Sequence, residues 1–105
     1  MLDREYNVHM IIRFVWDEET DRQNQKKHGV SFEEAATVFG NFPLEVYYDP
    51  DHSEAEDRYI VVGHSDQGRV LLVVHCENGR GTEIRLISAR KATRRERDSA
   101  FGGTC

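Results

Sequence analysis

The sequence predicts an α+β fold, with two N-terminal helices and one C-terminal helix packed on a single antiparallel sheet. Three observations lead to it. Capping residues bracket two short helical stretches between Asp17 and Phe39. Apolar residues recur at every second position in the segments after Pro43. Two tetrapeptides, Ser65-Asp66-Gln67-Gly68 and Asn78-Gly79-Arg80-Gly81, stand where hairpins would turn. The 105 residues, 38% hydrophobic and 31% charged, are enough for one core and not two, so residues 1–105 are expected to form one domain.

Met10–Trp16 (MIIRFVW) is rich in β-branched and aromatic residues and reads as a strand. Asp17 then caps a helix through EETDRQNQKKH. Its first turn is acidic, its last carries Lys26, Lys27 and His28, and Gly29 stops it, the polarity a helix dipole favours. Ser31 and Glu34 have capping-box spacing before a second helix, Phe32–Phe39, with Phe32, Ala35, Ala36 and Phe39 as its apolar face. Four strands follow, Leu44–Asp49, Arg58–His64, Val70–Glu77 and Thr82–Ala89, the last three as an antiparallel meander. Val70–Val74 (VLLVV) lacks polar alternation, as a central strand buried on both faces would. Thr93 and Glu96 repeat the capping-box spacing before a basic helix that ends near Ser99–Phe101. Met1–His9 is a hydrophilic N-terminal extension, and Gly102–Cys105 a frayed tail.

Several function classes lack their signals. No run approaches the roughly 18 apolar residues of a membrane span, and Met1–His9 carries acids where a signal peptide is basic and then apolar, so a cytoplasmic location is expected. Cys76 and Cys105 have no metal or redox spacing, and Cys76 reads as a buried strand thiol. The acidic segment Asp49–Asp57 has Glu54 where an EF-hand loop needs glycine and Ile60 where it needs a carboxylate, and no H-x-x-x-H pair exists for zinc. No metal and no cofactor are expected. A nucleotide-binding glycine loop and a G-x-S-x-G elbow are also missing.

The net charge of −5 conceals a strong asymmetry. Asp17 to Arg58 holds twelve acids and four bases, whereas Arg80 to Arg97 holds seven bases with only Glu83 and Glu96. This pattern suits a basic surface for a polyanion or an acidic partner, or else a solvated helix face. Along Thr82–Ala89, strict alternation puts Glu83, Arg85 and Ile87 on one side and Ile84, Leu86 and Ser88 on the other. Arg90 and Lys91 follow where the chain turns into the helix bearing Arg94, Arg95 and Arg97. Guanidinium groups on a rigid sheet suit bidentate phosphate contacts and a dianionic transition state, although Arg85 and Arg90 could equally pair with Glu83, Glu77 or the acidic loop. His28 is a candidate general acid or base for cleavage through a ribose 2′-hydroxyl, or an ordinary helix-end residue.

Four blocks in order, Phe14–Asp17 (FVWD), Asn24–Ala36 (NQKKHGVSFEEAA), Asp49–Gly63 (DPDHSEAEDRYIVVG) and Arg85–Glu96 (RLISARKATRRE), resemble the BrnT family of toxins. The resemblance implies a RelE-like compact fold and a metal-independent ribonuclease that degrades RNA to arrest growth. It implies a BrnA-like antitoxin partner, two copies of each chain in the assembly, and contact with operator DNA only through that partner. By motif, the implied site residues are Arg58 and Arg85 for phosphate binding, Arg90 for transition-state charge, and His28 or Glu56 for proton transfer. Lys27, Lys91, Arg94 and Arg95 are further RNA contacts. The antitoxin is expected to cover the basic face. Family members often end the last helix with a tyrosine, and here Phe101 lacks the hydroxyl. The alternative function is a non-catalytic module that acts as co-repressor with a DNA-binding partner.

Overall fold

The computed structural model describes residues 2–7, 11–52, 56–78 and 82–102. The chain runs β1 (Leu2–Asn7), β2 (Ile11–Trp16), α1 (Glu18–His28), α2 (Phe32–Thr37), β3 (Leu44–Tyr48), β4 (Arg58–His64), β5 (Val70–Asn78), β6 (Glu83–Lys91) and α3 (Arg94–Phe101). The six strands form one sheet in the order β1-β2-β6-β5-β4-β3. The pairings are antiparallel except that of β2 with β6, which is parallel. No helix among the described residues is long and apolar enough to cross a membrane.

Helix boundaries follow the local chemistry. The Asp17 carboxylate accepts from the Thr20 amide at 3.0 Å, and Gly29 ends α1 at φ 70°, where a side chain would be strained. α2 stops at Thr37, and Val38–Gly40 tighten into a 3₁₀ turn that includes Phe39. Under that turn, β4 carries Gly63, where a Cβ would lie 2.8 Å from Val38 Cγ1.

α1 and α2 cover one face of the sheet. Between helices and sheet lie Phe14, Trp16, Val30, Phe32, Val38, Val61, Leu71, Val73, Ile84, Leu86 and Ala89, all buried. Two polar side chains tie the layers together. Asn24 Nδ2 donates to the Val30 and Ala89 carbonyls at 2.9 and 2.8 Å, and its Oδ1 accepts from the Ala89 amide at 3.1 Å. The Glu34 carboxylate, only 5% exposed, accepts from Arg69 through both oxygens and from Ser65 Oγ at 2.7 Å, fastening α2 to the β4–β5 hairpin.

The structure corrects five expectations. Leu2–Asn7, read as part of an extension, is strand β1, paired with β2 from Leu2↔Trp16 to Asn7↔Ile11. Its charged composition disguised it, and charge is what an edge strand tolerates. The first capping box is half formed: Ser31 Oγ accepts from the Glu34 amide, but the Glu34 carboxylate turns to Arg69 and Ser65. β6 extends through Lys91, so Arg90 and Lys91 lie within the strand. α3 packs on the opposite face from α1 and α2, and covers only part of it. Leu72 and Val74 of the apolar run therefore stay half-buried, while Leu71 and Val73 are fully buried. Residues 53–55, 79–81 and 103–105, with parts of the acidic segment, the second hairpin turn and the tail, lie outside the described residues.

The fifth correction concerns alternation in β6. Val74 pairs with Ser88 and His75 with Leu86, so Ile87 is an extra residue, a β-bulge. Beyond it the phase reverses: Ala89 joins Ile84 and Leu86 on the helix-covered face, and Ser88 and Arg90 join Arg85 on the other. Strict alternation would have put Arg85 and Arg90 on opposite sides.

Candidate active site

Cross-strand partners share a face, so the register fixes what the α3 side of the sheet presents. One row reads Val15, Arg85, Cys76, Arg58 across β2, β6, β5 and β4. At about 4.8 Å per strand, the Arg85 and Arg58 backbones stand roughly 10 Å apart and straddle Cys76. Both arginines are half-buried. Cys76 is 1% exposed, and burial raises its thiol pKa, opposed by the adjacent Arg58 guanidinium. Glu56, two residues before β4, forms an ion pair with Arg85. Two arginines and Glu56 thus share the end of this face away from α3. Beside Arg85, a cavity of about 180 Å³ opens against Asp17, Thr20, Leu86 and Ile87.

The next row on this face reads Ser88, Val74, Ile60, Tyr47, and the one after it Arg90, Leu72, Val62, Glu45. Here α3 lies over the sheet. Arg90 binds Glu96 through two bonds of 2.8 Å each. With the Arg90 bond first among the causes, and the Thr93 amide adding to it, the Glu96 carboxyl is lowered to about 2. Thr93 Oγ1 accepts from the Glu96 amide while Glu96 accepts from the Thr93 amide, a complete capping box. The Arg90 guanidinium is therefore committed to anchoring α3. Arg94 and Arg95 are exposed on its first turn, and exposed Lys91 shares the phase of Ala89.

His28 is not brought to this cluster. α1 lies on the opposite face, and the Gly29 carbonyl after His28 accepts from Arg69 at 3.1 Å, placing the helix end beside the β4–β5 hairpin. Arg58 is at the other end of β4, roughly 20 Å away at about 3.4 Å per residue. Exposed Lys27 goes with His28. The Phe101 ring packs on His64 at 5.3 Å between centroids, also at the hairpin end.

A different histidine lies nearer in register but on the helix side. His75, fully buried, stacks on Tyr59 and meets Phe39 edge-on, with Nε2 3.1 Å from Glu77. Burial pushes its pKa down, against the pull of Glu77. Among the described residues, no group of three or more His, Cys, Asp or Glu side chains is placed to hold a metal ion. Sequence reading passed over Tyr47, 39% exposed on the arginine side, whose only signal was its place in an alternating strand.

The crystal structure of the Brucella abortus ribonuclease toxin BrnT is similar in fold. It is 22% identical, with 77% of this chain and 96% of that chain aligned and a TM-score of 0.55. No curated protein matches the sequence. Residues 16–96, from the last residue of β2 to the first turn of α3, match the model of the ribonuclease toxin BrnT of type II toxin–antitoxin systems. That stretch contains the Arg58–Cys76–Arg85 row, Glu56 and the Arg90–Glu96 anchor, and on this match the chain belongs to the BrnT family of type II ribonuclease toxins.

Proposed function

We propose that the chain cleaves RNA without a metal, at the Arg58–Arg85 row, and that a BrnA-like antitoxin silences it by covering that face. The observation that carries this reading is the row itself: two half-buried arginines on one sheet face, with Glu56 paired to Arg85. A phosphodiester between Arg58 and Arg85 is bound by fixed donors, which gain strength as its oxygens take on charge. Glu56 takes the proton of the adjacent 2′-hydroxyl, and the 2′-oxygen bonds to phosphorus. The 5′-oxygen leaves, protonated by water, and a 2′,3′-cyclic phosphate remains.

In this reading Arg90 is a scaffold residue, and His28 and Lys27 lie outside the site. Arg94, Arg95 and Lys91 add longer-range attraction for RNA. The missing hydroxyl at Phe101 has little bearing on the chemistry, because that ring packs at the hairpin end on His64. A 2:2 assembly with the antitoxin, reaching operator DNA only through it, belongs to the same proposal.

The test is cleavage of RNA by the purified chain in EDTA. Arg85→Ala is expected to slow cleavage about 10²–10³-fold and Glu56→Gln about 10²–10⁴-fold, while His28→Ala cleaves like wild type. A loss in His28→Ala as large as in Glu56→Gln would move the site. A folded wild type that leaves RNA intact, with and without ribosomes, would instead support the non-catalytic co-repressor.

A further inference from the structure

We propose that the cavity between the sheet and α3, lined by Tyr47, Ile60, Val62, Leu72, Glu96 and Ser99, is a subsite for one nucleobase of the RNA held at Arg58 and Arg85. This inference rests on the ribonuclease reading and adds to it how the strand is gripped. The cavity measures about 210 Å³, below the roughly 300–1,000 Å³ that enclose whole small molecules. That size suits a single planar ring system. Its floor is aliphatic, from Ile60, Val62 and Leu72, and Tyr47 stands at the rim on edge strand β3. Apolar walls and an exposed aromatic ring are the means by which proteins hold unstacked bases.

Position connects the cavity to the arginines. Tyr47 is the register partner of Ile60, and Ile60 is two residues from Arg58 on the same side of β4. The backbones of Arg58 and Tyr47 are therefore about 8 Å apart, within the reach of one nucleotide. The lining is almost wholly apolar, and α3 closes it with Glu96 and Ser99. Glu96 is fixed by Arg90 and Thr93, and exposed Ser99 offers a hydroxyl.

The experiment uses the full chain and fluorescent 2′-O-methyl RNA hexamers, which bind but cannot be cleaved through the 2′-oxygen. Binding is followed by anisotropy across a salt series, with a matched hexamer series made abasic at each position in turn. Tyr47→Ala and the cavity-filling Ser99→Phe are expected to weaken binding about five- to a hundred-fold. Their salt slope should stay unchanged, Tyr47→Phe should restore affinity, and the penalty should vanish on one of the abasic hexamers. Arg85→Ala lowers the salt slope by about one. Wild-type affinity in both Tyr47→Ala and Ser99→Phe, each shown folded by circular dichroism, overturns the subsite. So does an equal loss on every abasic hexamer. Tyr47-dependent binding in a protein that leaves unmodified RNA intact upholds the subsite and overturns the catalytic reading, and no RNA binding at all overturns both.

Discussion

β5 shows two kinds of surface on one strand. Toward α1 and α2 it presents Leu71, Val73 and His75, all fully buried, whereas on the other side Leu72 and Val74 are half-buried and only Cys76, between Arg58 and Arg85, is fully buried. The first surface belongs to the main hydrophobic core, whose burial favours folding. The second gives up some of that burial to keep guanidinium groups accessible. In the proposed function one sheet serves both needs, divided by face.

The widest separation between the faces should appear in unfolding experiments. Phe32→Ala, in the helix-side core, is expected to lower stability by about 3–5 kcal/mol, read from the urea midpoint. Arg85→Ala removes a part-exposed ion pair and should cost no more than about 1 kcal/mol, although it is the variant expected to lose RNA cleavage. Equal destabilisation by the two would erase the division.

Glu34→Ala tests the polar link from α2 to the hairpin. It strands Ser65 and Arg69, and a loss of about 1–3 kcal/mol is expected, with hydrogen exchange rising first around Ser65–Arg69. Smaller still is Thr93→Ala on the arginine side. Losing that cap should cost about 1 kcal/mol in thermal melts and loosen α3 without exposing the main core.

The last test is a pH dependence. The folded-state pKa of Glu96, about 2, lies below its ordinary 4.5. Its pairing with Arg90 therefore contributes fully above 4.5 and is lost as pH falls toward about 2. Wild type should lose part of its stability in that window, and Glu96→Gln should lack that part of the decline. Identical pH profiles would mean that the pair does not hold α3 down.

The elements easiest to read in the sequence were those specified by local chemistry. Asp17, Gly29 and Thr93 act on their own neighbours, so the limits of α1 and the start of α3 could be read from a few residues. Hairpin strands were legible for the same reason. β1 was not, because its partner β2 supplies the regularity that its charged residues hide. Glu34 shows the limit most clearly: its spacing from Ser31 matches that of Glu96 from Thr93, yet a partner thirty-five residues away, Arg69, captures the carboxylate. Among the candidate site residues, Arg58 and Arg85 were identified as residue types, but their meeting depends on strand order. The common side of Arg85 and Arg90 depends on the bulge at Ile87, which alternation alone cannot reveal. His28 looked attractive as chemistry, and its distance from the arginines becomes visible only when α1 is laid on the opposite face.

The strand that carries Arg85 is also the one that joins the two ends of the chain. β6 comes last in sequence among the described strands, yet it sits between β2 and β5, with Phe14 matched to Ile84 and Leu72 to Arg90. A nascent chain stopped before Glu83 has the aromatic side of β2 without its neighbour and has no Arg85. Such non-local pairing delays folding until the final segment is available. Fold and proposed chemistry therefore depend on the same late-made strand.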